Sequence, residues 1–451
     1  MAGWQNGSQF TPRKSIRMKG FGSKDLLKTI PGLVERELPV HMEGVFMAKK
    51  KLQGIINTTP LQYNSNLSLQ YGSKIYLKRE DLQVVRSYKI RGAYNKMASL
   101  PAEILAGGVV CASAGNHSQG FAFACRALQT HGKIFMPTTT PNQKIQQARN
   151  IGGDYVEIII GGDTFDDAFS TASQYCQDHK MTFIHPFDDP KIIEGQATVG
   201  LEIIEQTDAA IDYLFAPVGG GGLLSGVAHV FANLSPSTKI IGVEPEGAPA
   251  MKISLEKKER VTLPEIDRFV DGAAVKRVGE LNFEIFSSYN LEVETVPEGR
   301  VCSMILKLYN EDAIVAEPAG VLSLAALEDF REEIKGKTVV CILSGGNNDI
   351  IRMDEIKERS MLYEGLKHYF LINFPQRAGA LREFLEKVLG PEDDIVHFAY
   401  SKKNSRERVS ALVGIELKNK KDLEVLFKRL GDFNIPYEYL NHKSDMLQYL
   451  L

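Results

Sequence analysis

The stretch YLFAPVGGGGLLSG, residues 213–226, decides the reading of the fold. An apolar run breaks into four consecutive glycines and resumes as a helix-like segment. Two other stretches repeat that design: GVVCASAGNHSQG at 108–120 and TVVCILSGGNND at 338–349. Each reads as a buried strand, a loop of Gly, Ser and Asn, and a following helix. Further strands are expected at 74–80, 133–137, 155–160 and 239–245, with helices at 142–151, 164–178 and 192–207. Strands alternating with helices predict crossover units, hence an α/β fold with mostly parallel sheets and helices on both faces. In such sheets ligands bind beyond the carboxyl ends of the strands, where these three loops lie.

The chain has 451 residues, 43% hydrophobic and 24% charged, with 53 basic and 56 acidic side chains. That balance excludes disorder and a fibrous repeat, and gives no reason to expect nucleic acid as a partner. No apolar run approaches the roughly 18–20 residues of a membrane helix, so a soluble, cytoplasmic protein is expected. The five cysteines form no C-x-x-C pair, which argues against a disulfide scaffold or a Cys-based zinc site. Cys111 and Cys341 sit in apolar runs and read as buried thiols.

Residues 1–46 differ from the rest, with five basic and no acidic residues through Lys24. They read either as a targeting segment for organellar import or as an extension ahead of Met47. Residues 47–360 form the expected catalytic body, with a smaller lobe at roughly 90–188 inserted in the larger. Residues 364–451 form a second unit: strand 368–374, helix 380–390, strands 394–401 and 408–417, helix 422–431 and strand 435–440. This β-α-β-β-α-β order is the ferredoxin-like α+β pattern, with a glycine expected to stop each helix. It carries no acid, base and nucleophile together, so binding or structural work is its default.

Residue types alone leave each candidate open. The loop Gly219–Gly222 before Leu223 suits a phosphate at a helix N-terminus, or is a plain turn. Ser113, Gly115 and Asn116 suit a carboxylate, or Ser113 or Asn116 caps a helix. His117 reads as structural, Ser344 as a helix cap and Glu317 as a solvated carboxylate. Lys89 would pass for a surface lysine were it not accompanied by two anion cradles, beside which an amine nucleophile makes sense.

Taken in order, the motifs SYKIRGAY (87–94), SAGNHSQG (113–120), PVGGGGL (217–223), EPAG (317–320) and LSGGN (343–347) resemble the fold-type II pyridoxal-phosphate enzymes. Within them, the chain is similar to the threonine dehydratases, over roughly residues 50–360. The C-terminal unit resembles their ACT-like regulatory domain in a single copy. The resemblance implies pyridoxal 5'-phosphate held covalently by Lys89, with its phosphate on Gly219, Gly220, Gly221, Gly222 and Leu223. It places Asn116 at the cofactor's phenolic oxygen and Ser344 at its ring nitrogen. Ser113, Ala114, Gly115, Asn116 and His117 then take the substrate carboxylate, and Glu317 lies on the substrate side.

It further implies deamination of L-threonine, and less well of L-serine, with isoleucine as effector and a homo-oligomer, by family habit a tetramer. Serine racemases have a second serine where this chain has Ala114, which disfavours racemisation. Their divalent-cation site would fall on Glu244, Ala248 and Ala250, and Ala250 replaces its aspartate, so no metal is expected. Serine dehydratase and serine racemase remain alternatives. From other classes stand a catalytically inactive amino-acid sensor and a nucleotide-binding α/β protein. The sensor would be expected to have lost one of Lys89, Asn116, the glycine loop or Ser344.

Overall fold

The computed structural model describes residues 38–375, 377–400 and 408–442. The readings for residues 1–37 and 443–451 lie outside them. In chain order the strands are β1 Leu61–Tyr63, β2 Lys74–Arg79, β3 Val109–Ala112, β4 Gly132–Met136, β5 Val156–Ile160, β6 Thr182–Phe183 and β7 Tyr213–Pro217. They continue with β8 Lys239–Pro245, β9 Glu292–Val296, β10 Thr338–Leu343, β11 Lys367–Pro375, β12 Asp394–Tyr400, β13 Arg408–Glu416 and β14 Tyr437–Tyr439. They build three sheets, ordered β1-β2-β10-β7-β8-β9, β5-β4-β3-β6 and β12-β13-β11-β14.

The first two sheets are parallel throughout except for the antiparallel pair β1–β2. Their central strands are apolar without interruption because helices cover both faces. In β10, Val339, Cys341 and Leu343 join one buried cluster with Phe215, while Val340 and Ile342 join another with Leu214 and Ala216. Alternate side chains of a strand point to opposite faces, so these clusters are the two layers of core around one sheet. All five cysteines are buried and unpaired.

The third sheet is antiparallel. Phe370, Ile372 and Phe374 alternate along β11 and meet Ala411, Val413 and Ile415 of β13 under Phe384, Leu426 and Leu430 of two helices. The expected ferredoxin-like order is present. The glycine stops are not: Gly390 lies beyond the helix Ala380–Lys387, and Gly431 lies inside Asp422–Asp432. After the second helix the left-handed residue is Asn434, with φ 51°.

Two expected boundaries shift. The helix Met42–Leu52 runs through Met47, with Val45, Ala48 and Leu52 buried. A Cβ on Gly44 would overlap the Glu194 carboxyl, so residues 42–46 pack into the catalytic body instead of preceding it. The helix Met353–Glu364 straddles the expected junction at 360–364. Its Ser360 hydroxyl bonds Ser303 at 2.9 Å and its Tyr363 hydroxyl accepts from Arg300 at 3.0 Å. On its other side Tyr369 of β11 donates to Glu358 at 2.7 Å. This helix therefore belongs to both units.

Candidate active site

Two helices start at the loops singled out in the sequence, and neither has a side-chain cap. The 12-residue helix Asn116–Ala127 begins after Gly115, and the 13-residue helix Gly222–Leu234 begins after Gly221. Ser113 accepts only from Gly115 N, at 3.2 Å, and Asn116 points elsewhere, so neither caps the first helix. Buried helix N-termini without partners carry free N–H groups and a positive dipole end, which together suit an anion. Gly221 adopts φ 99°, which an L side chain rarely adopts. A Cβ on Gly220 would lie 2.3 Å from Cγ of Phe187, and one on Gly219 would lie 2.9 Å from Ala273. The loop thus needs glycine for close approach as well as for conformation.

Lys89 opens the helix Lys89–Met97, and its Nζ donates to Pro186 O at 2.8 Å. The amine lies 5.4 Å from the ring centre of Tyr88 and 5.9 Å from that of Phe187. Phe187 therefore links Lys89 to the glycine loop. Burial lowers the amine to about 8, against the opposing pull of Glu317. Behind it, a Cβ on Gly120 would come within 3.0 Å of the Lys89 carbonyl, so the two helix starts are in contact.

Tyr88 N donates to Ser344 O at 3.2 Å, which brings the loop after β10 to the same place. No helix starts at Ser344. The following 3-10 turn is capped by Asp349, so Ser344 is not a cap. Its hydroxyl makes one long bond, 3.3 Å, to Ala319 O and has lone pairs to spare. Glu317 is buried rather than solvated, and burial together with Asp271 pushes its carboxyl up to about 7. It accepts from Asn116 Nδ2 at 2.5 Å, and Asn116 Oδ1 accepts from Asn347 Nδ2 at 2.7 Å. The His117 ring bonds Ile184 O at 2.9 Å and is held down to about 3 by burial and by the Lys89 charge. It is a neutral ring held by that bond, and its backbone N–H stays available to a ligand. Glu244 accepts from Met251 N and Lys252 N at 2.8 and 2.9 Å, the first turn of the helix Ala250–Lys257.

Several residues of the site had no sequence motif. Pro186 and Phe187 form a strap held by its neighbours, since Asp188 accepts from Glu280 N and Leu281 N at 2.8 and 3.0 Å. Beneath the Lys89 helix, Arg91 donates to both Glu80 oxygens at 2.8 Å and to Glu202 at 2.7 and 2.8 Å. Lys78 joins through Glu202 at 2.6 Å. The strap between Pro186 and the capping Asp189 carries no motif that names a ligand.

The pocket fits pyridoxal phosphate on its own geometry. A buried, partly neutral amine stands near a glycine cradle that a Cβ would fill, and the segments carrying the Ser344 hydroxyl and the Asn116 amide meet it through Tyr88 and Gly120. Overpacking a site costs about 1–3 kcal/mol. Gly220→Ala is therefore expected to weaken pyridoxal phosphate binding by about tenfold, read as Kd in an absorbance titration. Unchanged affinity would remove the loop from the cradle.

Comparison with known proteins agrees with this geometry. The family described as pyridoxal-phosphate dependent enzyme matches residues 52–345, and the C-terminal regulatory domain of threonine dehydratase matches residues 358–450. L-threonine dehydratase biosynthetic IlvA of Halalkalibacterium halodurans is 56% identical over 412 residues, covering 91% of this chain and 99% of that protein. Its Bacillus subtilis namesake is 53% identical over 421 residues, covering 93% and 100%. The processed form of threonine deaminase isoform 2 from Solanum lycopersicum superposes with a TM-score of 0.67 at 39% identity, covering 73% of this chain and 99% of that one. The uncapped helices, the buried lysine and these relatives agree: the chain belongs to the threonine dehydratases, a family of pyridoxal-phosphate dependent enzymes.

Proposed function

We propose that this chain converts L-threonine to 2-oxobutanoate and ammonia, and L-serine less well, as the first step of isoleucine synthesis in the cytoplasm. The observation that carries the reading is the meeting of Lys89 with two uncapped helix N-termini, in a chain 56% identical to a threonine dehydratase. Pyridoxal phosphate, when bound, draws electrons from the amino acid's Cα and makes its proton acidic.

The protein's own groups do the rest. Lys89 would hold the cofactor, and its free Nζ would take up the Cα proton. An amine lowered to about 8 is neutral often enough to serve as that base. The N–H groups of Gly219 to Leu223 would hold the phosphate, and those of Ser113 to His117 would orient the substrate carboxylate. Ser344 would lie at the ring nitrogen with a hydroxyl, which does not hold a proton there as a carboxylate would. With a hydroxyl there, the ring would be a weaker electron sink, which would suit elimination of a β-hydroxyl. Ala114 has no proton to return from the far face, which opposes racemisation. Activity is tested by following 2-oxobutanoate from threonine and from serine.

The regulatory-domain match supports feedback by an amino-acid effector, and isoleucine, the end product, is the effector we propose, acting on a homotetramer. A truncation must keep the helix Met353–Glu364, because Ile356 and Ser360 are buried against the catalytic body. Ending the chain at Gly365 is expected to preserve threonine turnover and abolish isoleucine inhibition. Full isoleucine sensitivity in that truncation would place the effector site in the catalytic body.

A further inference from the structure

Asn347 ends the LSGGN motif, yet the reaction as described gives it no task. We propose that Asn347 is a positioning residue that locks the Asn116 side-chain amide in one orientation, nitrogen toward Glu317, leaving one Asn116 N–H free for the bound ligand. The inference rests on the proposed placing of Asn116 beside the cofactor.

Val85 O is a backbone carbonyl and only accepts, and it lies 2.9 Å from Asn347 Nδ2. The nitrogen of Asn347 must therefore face Val85. Its second hydrogen then points at Asn116, 2.7 Å away, and only an oxygen is tolerated there. With Oδ1 so fixed, Asn116 Nδ2 faces Glu317 at 2.5 Å. A flipped Asn116 would set its oxygen against the Glu317 carboxylate and its NH2 against the NH2 of Asn347. Two repulsions would replace two hydrogen bonds.

The lock also ties the two lobes together. Asn116 follows β3 in the smaller sheet, whereas Asn347 follows β10 and Glu317 N bonds Gly345 O in the larger body at 3.2 Å. Asn347 Oδ1 is buried with no partner among the described residues. Both hydrogens of this amide are used and its oxygen is not, which fits a residue kept for the direction of its donors. Glu317 is sensitive to that direction, because the Asn116 N–H favours its ionised form. Asp271, Tyr88, Lys89, Lys144 and Arg86 are the other titratable groups acting on it or sharing its surroundings.

Two variants of the full chain test the lock. Asn347→Asp is isosteric but has no donor, so Asn116 turns its NH2 toward residue 347 and its oxygen toward Glu317. Asn347→Ala removes the lock without imposing the reverse orientation. The Glu317 carboxyl, followed by carbon-13 NMR and assigned with Glu317→Gln, is expected to titrate about one pH unit higher in Asn347→Asp than in the parent. Asn347→Ala should fall between them. In the holoenzyme, kcat should drop about tenfold in Asn347→Asp, with KM for threonine changed less than about threefold.

Because a carboxylate at 347 raises Glu317 by like charge alone, Asn347→Leu is the control: it keeps the volume, carries no charge and donates nothing. The lock predicts a raised Glu317 midpoint there too. A charge effect or a packing role predicts an unmoved one, and that result overturns the lock. An unmoved Glu317 midpoint in both Asn347→Asp and Asn347→Ala, or a larger shift in Asn347→Ala, overturns it as well. Should the parent chain make no 2-oxobutanoate, the proposed activity fails, while the Glu317 midpoint still decides the lock.

Discussion

Lys89→Ala is expected to yield a folded, colourless protein whose production of 2-oxobutanoate from threonine is at least about 1,000-fold below the parent. Among the described residues the Lys89 amine makes a single hydrogen bond, to Pro186 O, so its removal costs the fold little. It costs the chemistry both the covalent hold on the cofactor and the base at Cα. Lys89→Arg should be equally inactive although it keeps the charge, because a guanidinium stays protonated and is no nucleophile. The checks are the visible absorbance with added pyridoxal phosphate, a 2-oxobutanoate assay, and a thermal melt to confirm the fold. Activity within about tenfold of the parent in either variant would assign the base to another residue.

The largest expected effect on stability is at Arg91. Its guanidinium is buried between Glu80 and Glu202, and Lys78 brings the network to two positive and two negative groups. Burial alone would raise the Glu80 carboxyl, but the Arg91 charge and hydrogen bonds outweigh it and hold the group below its ordinary range. Arg91→Met removes one of the two cations and leaves Lys78 alone against both carboxylates, and breaking a buried pair costs about 3–5 kcal/mol.

The pH dependence follows from the sign of the Glu80 shift. Its folded value is below its unfolded value, so the stabilisation is present above the unfolded value near 4.5 and is lost as pH falls through the folded one. The parent should therefore lose stability on acidification, and Arg91→Met should lose less over that window. Activity should fall as well, since Arg91 sits two residues from Lys89 on the same helix. A loss below about 1 kcal/mol would mean that water reaches the network and screens it.

The motif-bearing loops of the candidate site were legible because each is small, polar and placed after a buried strand, and such stretches stand out. Lys89, Gly219–Gly222, Asn116, Ser344 and Glu317 come from five separate stretches and meet in one place. The ion network under Lys89 was not legible. Lys78, Glu80, Arg91 and Glu202 lie on different elements, and a charged residue in a sequence reads as solvated until its neighbours are known. The same holds for Phe187, an aromatic in a turn whose contact with Gly220 exists only in three dimensions.

The fold follows that division. Long apolar runs such as β7 and β10 were placed to within a residue or two, since continuous burial leaves an unbroken pattern. β1, β6 and β9 were missed: two are three residues or fewer, and β9 carries glutamates on its exposed face. The helices Met42–Leu52 and Met353–Glu364 were cut at composition changes because nothing in their sequences tells that both ends pack on a neighbour.

One assay addresses the central claim most directly. Purified chain, supplied with pyridoxal phosphate and L-threonine, is predicted to turn yellow and to release 2-oxobutanoate and ammonia in equal amounts over many turnovers. Binding of threonine by a yellow protein without release of 2-oxobutanoate would contradict the account and leave an amino-acid sensor in its place.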